Sequence, residues 1–408
     1  MTGLPSRVAL VSLHTSPASQ PGTGDAGGMN VVVRSLAREL ARLGLEVDVM
    51  TRAVGTPTSG QLEPGVVLHE LSAGPQGPIA KDALADVSDE FGEAVAALAG
   101  RAGSRYDIVH AHYWLSGIAT LPVALELGIP FVQSFHTLAA MKNALSTPGA
   151  PLEPERRLRS ESYLAGEASA IVAGSASEAT HLIDAVGAPA DRVWVIPPGV
   201  DVDFFRPNRA RDGDRVREGL GIESGRDILV VAGRIQPLKD QELAVRALSL
   251  LHMRSAAAPV LVIAGEATPG DEDYALGIRS LAGELGVVDD VRFVGAQSRD
   301  ALARLFAVAT LTLVTSHSET FGLVALESAA SGTPVVGFRG SGMLESIAEG
   351  VSGVFVDSRD PQDWASAISD LLHDAVGLER LSASARDHAL GYTWAASATA
   401  LLSVYGSL

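Results

Sequence analysis

Short apolar runs alternate with stretches of helical period along nearly this whole chain, and the alternation stops and restarts once. Runs at 7–13, 46–50, 66–71, 107–111, 131–135, 170–173 and 193–196 read as strands. Between the first two, 29–43 reads as an amphipathic helix. Val32, Leu36, Leu40 and Leu43 share one face of it, while Arg34, Arg38 and Arg42 lie elsewhere. Parallel neighbours need a crossover that covers the sheet, so strand–helix repetition calls for a parallel sheet with helices on both faces. Near residue 200 the rhythm breaks at IPPGVDVDFFRPNRARDGDR, a run of prolines, glycines and charges typical of a linker. It restarts with strand-like runs at 227–232, 259–264, 291–294, 311–314 and 334–338. The 408 residues therefore suit an α/β protein of two doubly wound domains. They are expected at 1–200 and 201–390, with a helical tail over 391–408 joining the first.

Composition narrows the function classes. Apolar residues at 47% allow a large core, and 31 basic against 48 acidic side chains leave a formal charge of −17. Such a balance argues against nonspecific binding to nucleic acid or an anionic membrane. Without cysteine the chain has no disulfide, no thiolate nucleophile and no Cys-ligated zinc. MTGLPSR leads directly into a strand-like run with no signal-peptide pattern, and no apolar run approaches the ~18 residues of a membrane span. A cytoplasmic enzyme without stable membrane association is expected. Only three of the 31 basic residues are lysines, Lys81, Lys142 and Lys239. In a chain drawn to arginine, a retained lysine suggests a compact point charge offered to a phosphate.

Ligands of open parallel sheets bind beyond the carboxyl ends of the strands. The first such end carries HTSPASQPGTGDAGGMN, whose glycines let the backbone approach a ligand just before a helix N-terminus. It matches neither the dinucleotide G-x-G-x-x-G nor a P-loop. GRIQPLKD follows the first strand of the second half and carries Arg234 and Lys239, a pair able to clamp a diphosphate. SHSETFGLVALESAASGTPVV places Glu319 in a loop and Glu327 about two turns into the helix opened by Gly322. Free N–H groups at that helix start suit a phosphate, and the flanking carboxylates suit sugar hydroxyls, although paired carboxylates also serve glycosidases. His110 and His112 share one strand face as a metal would require, but no third ligand stands at metal-site spacing, and no metal is expected. His136 follows a strand and so faces the ligand side.

The Glu319–Glu327 element, the Arg234/Lys239 pair and the glycine-rich first loop together resemble the retaining GT-B glycosyltransferases of family 4, over essentially the whole chain. HTSPASQPGTGDAGGMN, AHYWLSG and FHTLAAMKN are similar to the mycothiol-pathway branch of that family. The resemblance implies two Rossmann-like domains with a cleft between them, the first binding an acceptor and the second a nucleotide sugar. It implies transfer of N-acetylglucosamine from UDP-N-acetylglucosamine to 1D-myo-inositol 3-phosphate, with His136, Arg234, Lys239 and Glu319 as catalytic residues. The acceptor would meet His14, Asp25, Met29 and Asn30, with Lys81, Tyr113, Thr137 and Arg156 around its phosphate. Gln20, Pro21, Gly28, Phe321, Gly322, Leu323 and Glu327 would line the donor site beside Arg234, Lys239 and Glu319. No cofactor would be required, with Mg2+ at most a weak stimulator. Partners would be the UDP-sugar and a phosphorylated polyol, and the family admits a homodimer. Three stretches depart from the family pattern: Ser318 stands for an Asn, Gln297 for an Arg near the uracil, and IVAGSASEAT differs throughout. Rival expectations are a family 4 enzyme with another donor or acceptor, and a UDP-sugar epimerase or binding protein on the same fold.

Overall fold

The structure, a computed structural model, describes residues 4–101, 105–144, 152–207, 213–255, 258–340 and 342–408. Residues 208–212 of the expected linker lie outside the described residues. The chain separates into two compact units. The first gathers the residues up to Ser19, Gly28–Pro198 and Trp394–Leu408, and the second gathers Gln20–Gly27 and Gly199–Thr393.

The first unit is built on eight strands: β1 (Arg7–Val11), β2 (Glu46–Arg52), β3 (Ser59–Glu63), β4 (Val66–Leu71), β5 (Ile108–His112), β6 (Phe131–Ser134), β7 (Ala170–Ala173) and β8 (Val193–Val195). Their order is β3-β4-β2-β1-β5-β6-β7-β8. β3 and β4 are antiparallel, and the other neighbours run parallel. Val8, Ala9, Leu10 and Val11 are fully buried, as a central strand covered on both faces demands. The second unit holds β9 (Ile228–Ala232), β10 (Val260–Ala264), β11 (Val291–Gly295), β12 (Leu311–Val314), β13 (Val335–Phe338) and β14 (Gly353–Val356). Its order is β11-β10-β9-β12-β13-β14, all parallel.

Two strands escape the sequence pattern. β3 reads SGQLE and lies largely exposed at the sheet edge, so it has no apolar signature. It forms because Gly65, at φ 79°, turns the chain back onto β4. β14 is only four residues long and follows a turn. The tail differs by a few residues: its helix is Trp394–Gly406. It belongs to the first unit, where Ser397 Oγ donates to the Pro197 carbonyl at 2.6 Å and Tyr405 Oη meets His110 Nδ1 at 2.6 Å. At the start of the second unit, Arg386 donates to the carbonyls of Val202, Phe205 and Ala330, which gives those peptide groups partners in a tightly packed corner.

In both sheets the first strand sits centrally, and the strand order reverses beside it. β1 lies between β2 and β5, and β9 between β10 and β12. Those are the switch points at which loops from adjacent strands diverge and leave a crevice.

Candidate active site

At the β1/β5 switch point the loop after β1 is tied down by Asn30, in the first turn of the Gly28–Arg42 helix. Its Nδ2 donates to Thr15 Oγ1 at 3.0 Å and to the Ser16 carbonyl at 2.8 Å. Asn30 is therefore buried and engaged with its own loop, while Gly28 is exposed and Met29 packs partly against the core. The His14 ring lies 4.5 Å from that of Tyr113. Tyr113, just after β5, has φ 75°, a strained conformation for a bulky residue, and its N–H donates to the Ser134 carbonyl at 2.7 Å.

Two cations flank the buried Tyr113 ring, Lys81 Nζ at 5.3 Å and the Arg157 guanidinium at 5.0 Å. Arg157 Nη2 also donates to the Thr137 carbonyl at 2.9 Å and to Thr137 Oγ1 at 3.0 Å. The structure thus brings Lys81, Tyr113 and Thr137 together with Arg157, and places the Arg156 side chain elsewhere. Successive helical residues point about 100° apart. In the Glu155–Glu167 helix Arg157 takes the buried face, while Arg156 is half exposed and donates to Asp86 at 2.8 Å and to the Ala85 carbonyl. Arg157 is braced from below by Glu161, Nε to Oε1 at 2.7 Å, and Glu161 in turn accepts the Ala139 N–H at 2.9 Å. Lys142 pairs with Glu153, whose other oxygen lies 2.8 Å from Arg157 Nη1.

His110, His112 and His136 stack in a row, with centroids 4.3 and 5.1 Å apart, and His112 Nδ1 lies 2.9 Å from His136 Nε2. Burial pushes His110 down to about 3 and His136 to about 4, and it lowers His112 as well, so all three rings are neutral at pH 7. Among the described residues no group of three His, Asp or Glu side chains is placed to hold a metal ion.

In the second unit the chain leaves β9 through Gly233 and Arg234 into a short 3-10 turn, Pro237–Lys239. Gly265 fits beside it because any Cβ there would lie 1.9 Å from the Gly233 carbonyl oxygen. Asp240, at φ 47°, caps the Gln241–Arg254 helix by accepting the Leu243 N–H, and Arg359 and His317 close on its other oxygen. Burial and the neighbouring Arg359 hold His317 below its usual value. The loop after β12 packs against this turn: the His317 N–H donates to the Leu238 carbonyl at 2.9 Å, and Thr315 Oγ1 to that of Lys239 at 2.8 Å. Lys239 Nζ consequently meets Glu319 Oε1 at 2.5 Å, where Ser316 Oγ also donates at 2.7 Å. A Cβ on Gly342 would lie 1.7 Å from the Thr320 carbonyl oxygen, so this loop needs glycine there to reach its seat.

Phe321 is buried, and Gly322 at φ 88° opens the Leu323–Ala330 helix that carries Glu327. Gln20–Gly27, although it follows β1 in sequence, groups with this unit. Asp25 Oδ1 lies 3.5 Å from Arg234 Nη1, while Gln20 and Pro21 are exposed. Gln297, in the loop after β11, donates to the Val294 carbonyl at 2.6 Å.

The chain as a whole has counterparts among known proteins. Residues 26–204 match the Glycosyltransferase Family 4 model, and residues 212–388 match Glycosyl transferases group 1. A D-inositol 3-phosphate glycosyltransferase of Nocardiopsis dassonvillei is 41% identical, aligned over 99% of this chain and 95% of that one. One of Thermobifida fusca is 40% identical over 98% and 93%. The chain belongs to this glycosyltransferase family. Among solved structures, sucrose-phosphate synthase of Thermosynechococcus elongatus superposes with a TM-score of 0.88 at 29% identity, covering 98% of each chain. Anabaena HepE in complex with UDP and glucose gives 0.77 at 19% identity over 98% and 99%, a likeness of fold. The protein is a hexosyltransferase on the GT-B fold. No helix among the transferase's described residues is long and apolar enough to cross a membrane.

Within the transferase, Glu327 is the carboxyl whose ionisation is most informative. Burial raises it from 4.5 to about 7, with Arg299 opposing. The folded state therefore holds this proton more tightly than the unfolded chain. The stability it contributes is fully present below about pH 4.5 and is lost as the pH rises toward 7. Glu327→Gln is expected to abolish that loss and to be more stable than wild type at pH 8, by at most about 3 kcal/mol. Urea midpoints at pH 5 and pH 8 check it. Equal pH dependence in the two proteins would contradict it.

Proposed function

We propose that the transferase moves N-acetylglucosamine from UDP-N-acetylglucosamine to 1D-myo-inositol 3-phosphate with retention of configuration, in the cytoplasm. The observation that carries the acceptor is the gathering of Lys81, Arg157, Thr137 and Tyr113 at the β1/β5 switch point. Two cations and two hydroxyls on an acidic protein are a chemistry for a phosphate monoester rather than for a neutral sugar. The relatives' names point to the same acceptor. His14 and Met29, on the neighbouring loop and helix, would face the inositol ring, with Asn30 holding that loop in place.

The donor would be held by the second unit. Arg234 and Lys239 would neutralise the diphosphate, aided by the N–H groups that open the Leu323–Ala330 helix. Glu327 would accept from the ribose hydroxyls and Glu319 from those of the transferred sugar. Gln20, Pro21 and Gly28 would line the donor from the loop after β1. In a same-face displacement, the bond from the sugar's anomeric carbon to the diphosphate oxygen breaks as that from the acceptor oxygen forms. The acceptor's proton passes to the departing diphosphate oxygen. The protein contributes positioning and stabilisation of the leaving charge, so no carboxylate nucleophile is needed. His136, neutral and buried, would contact the donor sugar. The Arg234/Lys239 pair takes the charge-neutralising role, leaving Mg2+ at most a stimulator.

Glu319→Gln is expected to lower kcat more than Glu327→Gln. The sugar changes geometry during transfer, whereas the ribose is held alike in ground and transition states. Steady-state kinetics of both variants check this, and the reverse order would exchange the roles. The donor and stereochemistry are tested by mass and proton NMR of the product formed with UDP-N-acetylglucosamine and inositol 3-phosphate. An α-linked N-acetylhexosamine adduct is expected. A β linkage, or a clear preference for UDP-glucose, would overturn that part of the reading.

A further inference from the structure

Every nitrogen of the Arg157 guanidinium is already engaged. Nε is spent on Glu161, Nη2 on both oxygens of Thr137, and Nη1 on Glu153. These partners are not equivalent. The Glu161 side chain is 1% exposed and also holds the Ala139 N–H, so releasing it would strand a buried carboxylate. Thr137 holds Nη2 through its carbonyl as well as its hydroxyl, so it would receive the phosphate alongside Arg157 rather than be displaced by it. The Glu153 side chain is 20% exposed and stands just before the Glu155–Glu167 helix, bound to its surroundings by charge and by one backbone donation, its own N–H to Asn143 Oδ1 at 2.8 Å. An anion arriving from solvent can therefore win Arg157 only along the Nη1 edge, where a carboxylate already sits.

The same carboxylate occupies Lys142, so its two oxygens span two cations as two oxygens of a phosphate would. Those cations pull its ionisation down against the opposing effect of burial, so Glu153 is charged at neutral pH.

We propose that Glu153 is a built-in placeholder for the acceptor's phosphate and a specificity determinant of the acceptor site. With no acceptor bound, its carboxylate keeps Lys142 and Arg157 paired and aligned. The incoming phosphate takes over the Nη1 edge of Arg157 and displaces Glu153. Displacing one full negative charge favours a dianion, which brings more charge than it replaces, over a monoanion, which merely exchanges with it. A neutral polyol cannot compete at all. The inference rests on the acceptor reading above, and it assigns a role to Lys142 as the second holder of the placeholder.

The test is isothermal titration of inositol 3-phosphate, and of inorganic phosphate as the bare probe, into wild type, Glu153→Gln and Glu153→Asp. The Gln side chain keeps the shape and removes the charge, so both ligands are expected to bind Glu153→Gln on the order of tenfold more tightly. The KM for inositol 3-phosphate should fall in parallel. Glu153→Asp keeps the charge and should stay near wild type. A purely structural carboxylate would give the opposite sign, because its loss would let Arg157 and Lys142 drift and weaken binding. If wild type binds and Glu153→Gln binds equally or less tightly, the placeholder is wrong while the acceptor site stands. If none of the three proteins binds either ligand, the acceptor reading itself fails and takes the placeholder with it. Circular dichroism melts establish that each variant is folded. Should Glu153→Gln not fold, Glu153 is a structural residue and the proposal is overturned.

Discussion

Lys239→Ala and Arg234→Ala are each expected to lower kcat by about 10²–10³-fold while leaving the fold intact. The negative charge they face grows as the bond to the diphosphate breaks, so their contacts strengthen toward the transition state and the loss falls on turnover. Neither residue supports the core. Arg234 is partly exposed and its side chain reaches Asp25, and Lys239 sits on a three-residue turn with its ammonium on Glu319. Unfolding midpoints should therefore move little. Removing Lys239 also leaves Glu319 beside the diphosphate without its counter-charge, so its effect should be the larger of the two. Near-normal turnover in both variants, measured as UDP release, would remove the pair from the reaction.

The second large effect is expected at Arg157. Arg157→Ala strands Glu161 in the interior, at a cost of about 3–5 kcal/mol in stability, so the informative change is Arg157→Lys. Lysine keeps the charge but not the planar fork that reaches Thr137, Glu161 and an incoming anion together. It should lower kcat/KM for inositol 3-phosphate about 10–100-fold, mainly through KM. Arg156→Ala, which gives up an exposed contact to Asp86 and a part-buried one to the Ala85 carbonyl, should stay within about threefold. A larger loss from Arg156 than from Arg157 would make Arg156 the phosphate-binding arginine instead.

The Arg156/Arg157 pair shows where reading the sequence stops. Strand positions, and with them the loops that carry Arg234, Lys239, Glu319 and His136, were legible because doubly buried strands read as continuous apolar runs. β3 was not, since an exposed edge strand has no such run. Between adjacent arginines only the phase of the helix decides, and residues 153–161, EPERRLRSE, hold a clue that was available. Glu153, Arg157 and Glu161 recur at four-residue spacing, as an ion-paired buried face would. The grouping of Gln20–Gly27 with the second unit, and with it the approach of Asp25 to Arg234, has no local signature. It depends on residues more than two hundred positions apart in sequence. The closure of Asp240 by Arg359 and His317 is hidden likewise, since neither partner lies near it in sequence.

The claim on which the rest depends is that the first unit recognises a phosphate on the acceptor. It is tested most directly by comparing kcat/KM for 1D-myo-inositol 3-phosphate and free myo-inositol, with UDP-N-acetylglucosamine held saturating and UDP release followed. Lys81 and Arg157 together supply several charge-assisted hydrogen bonds, each worth about 1.5–3 kcal/mol when well formed. The phosphorylated acceptor is therefore expected to be favoured by about 10³-fold or more in the wild-type enzyme, with most of that preference lost in Lys81→Ala. Comparable rates for the two acceptors, or full discrimination retained in Lys81→Ala, would contradict it.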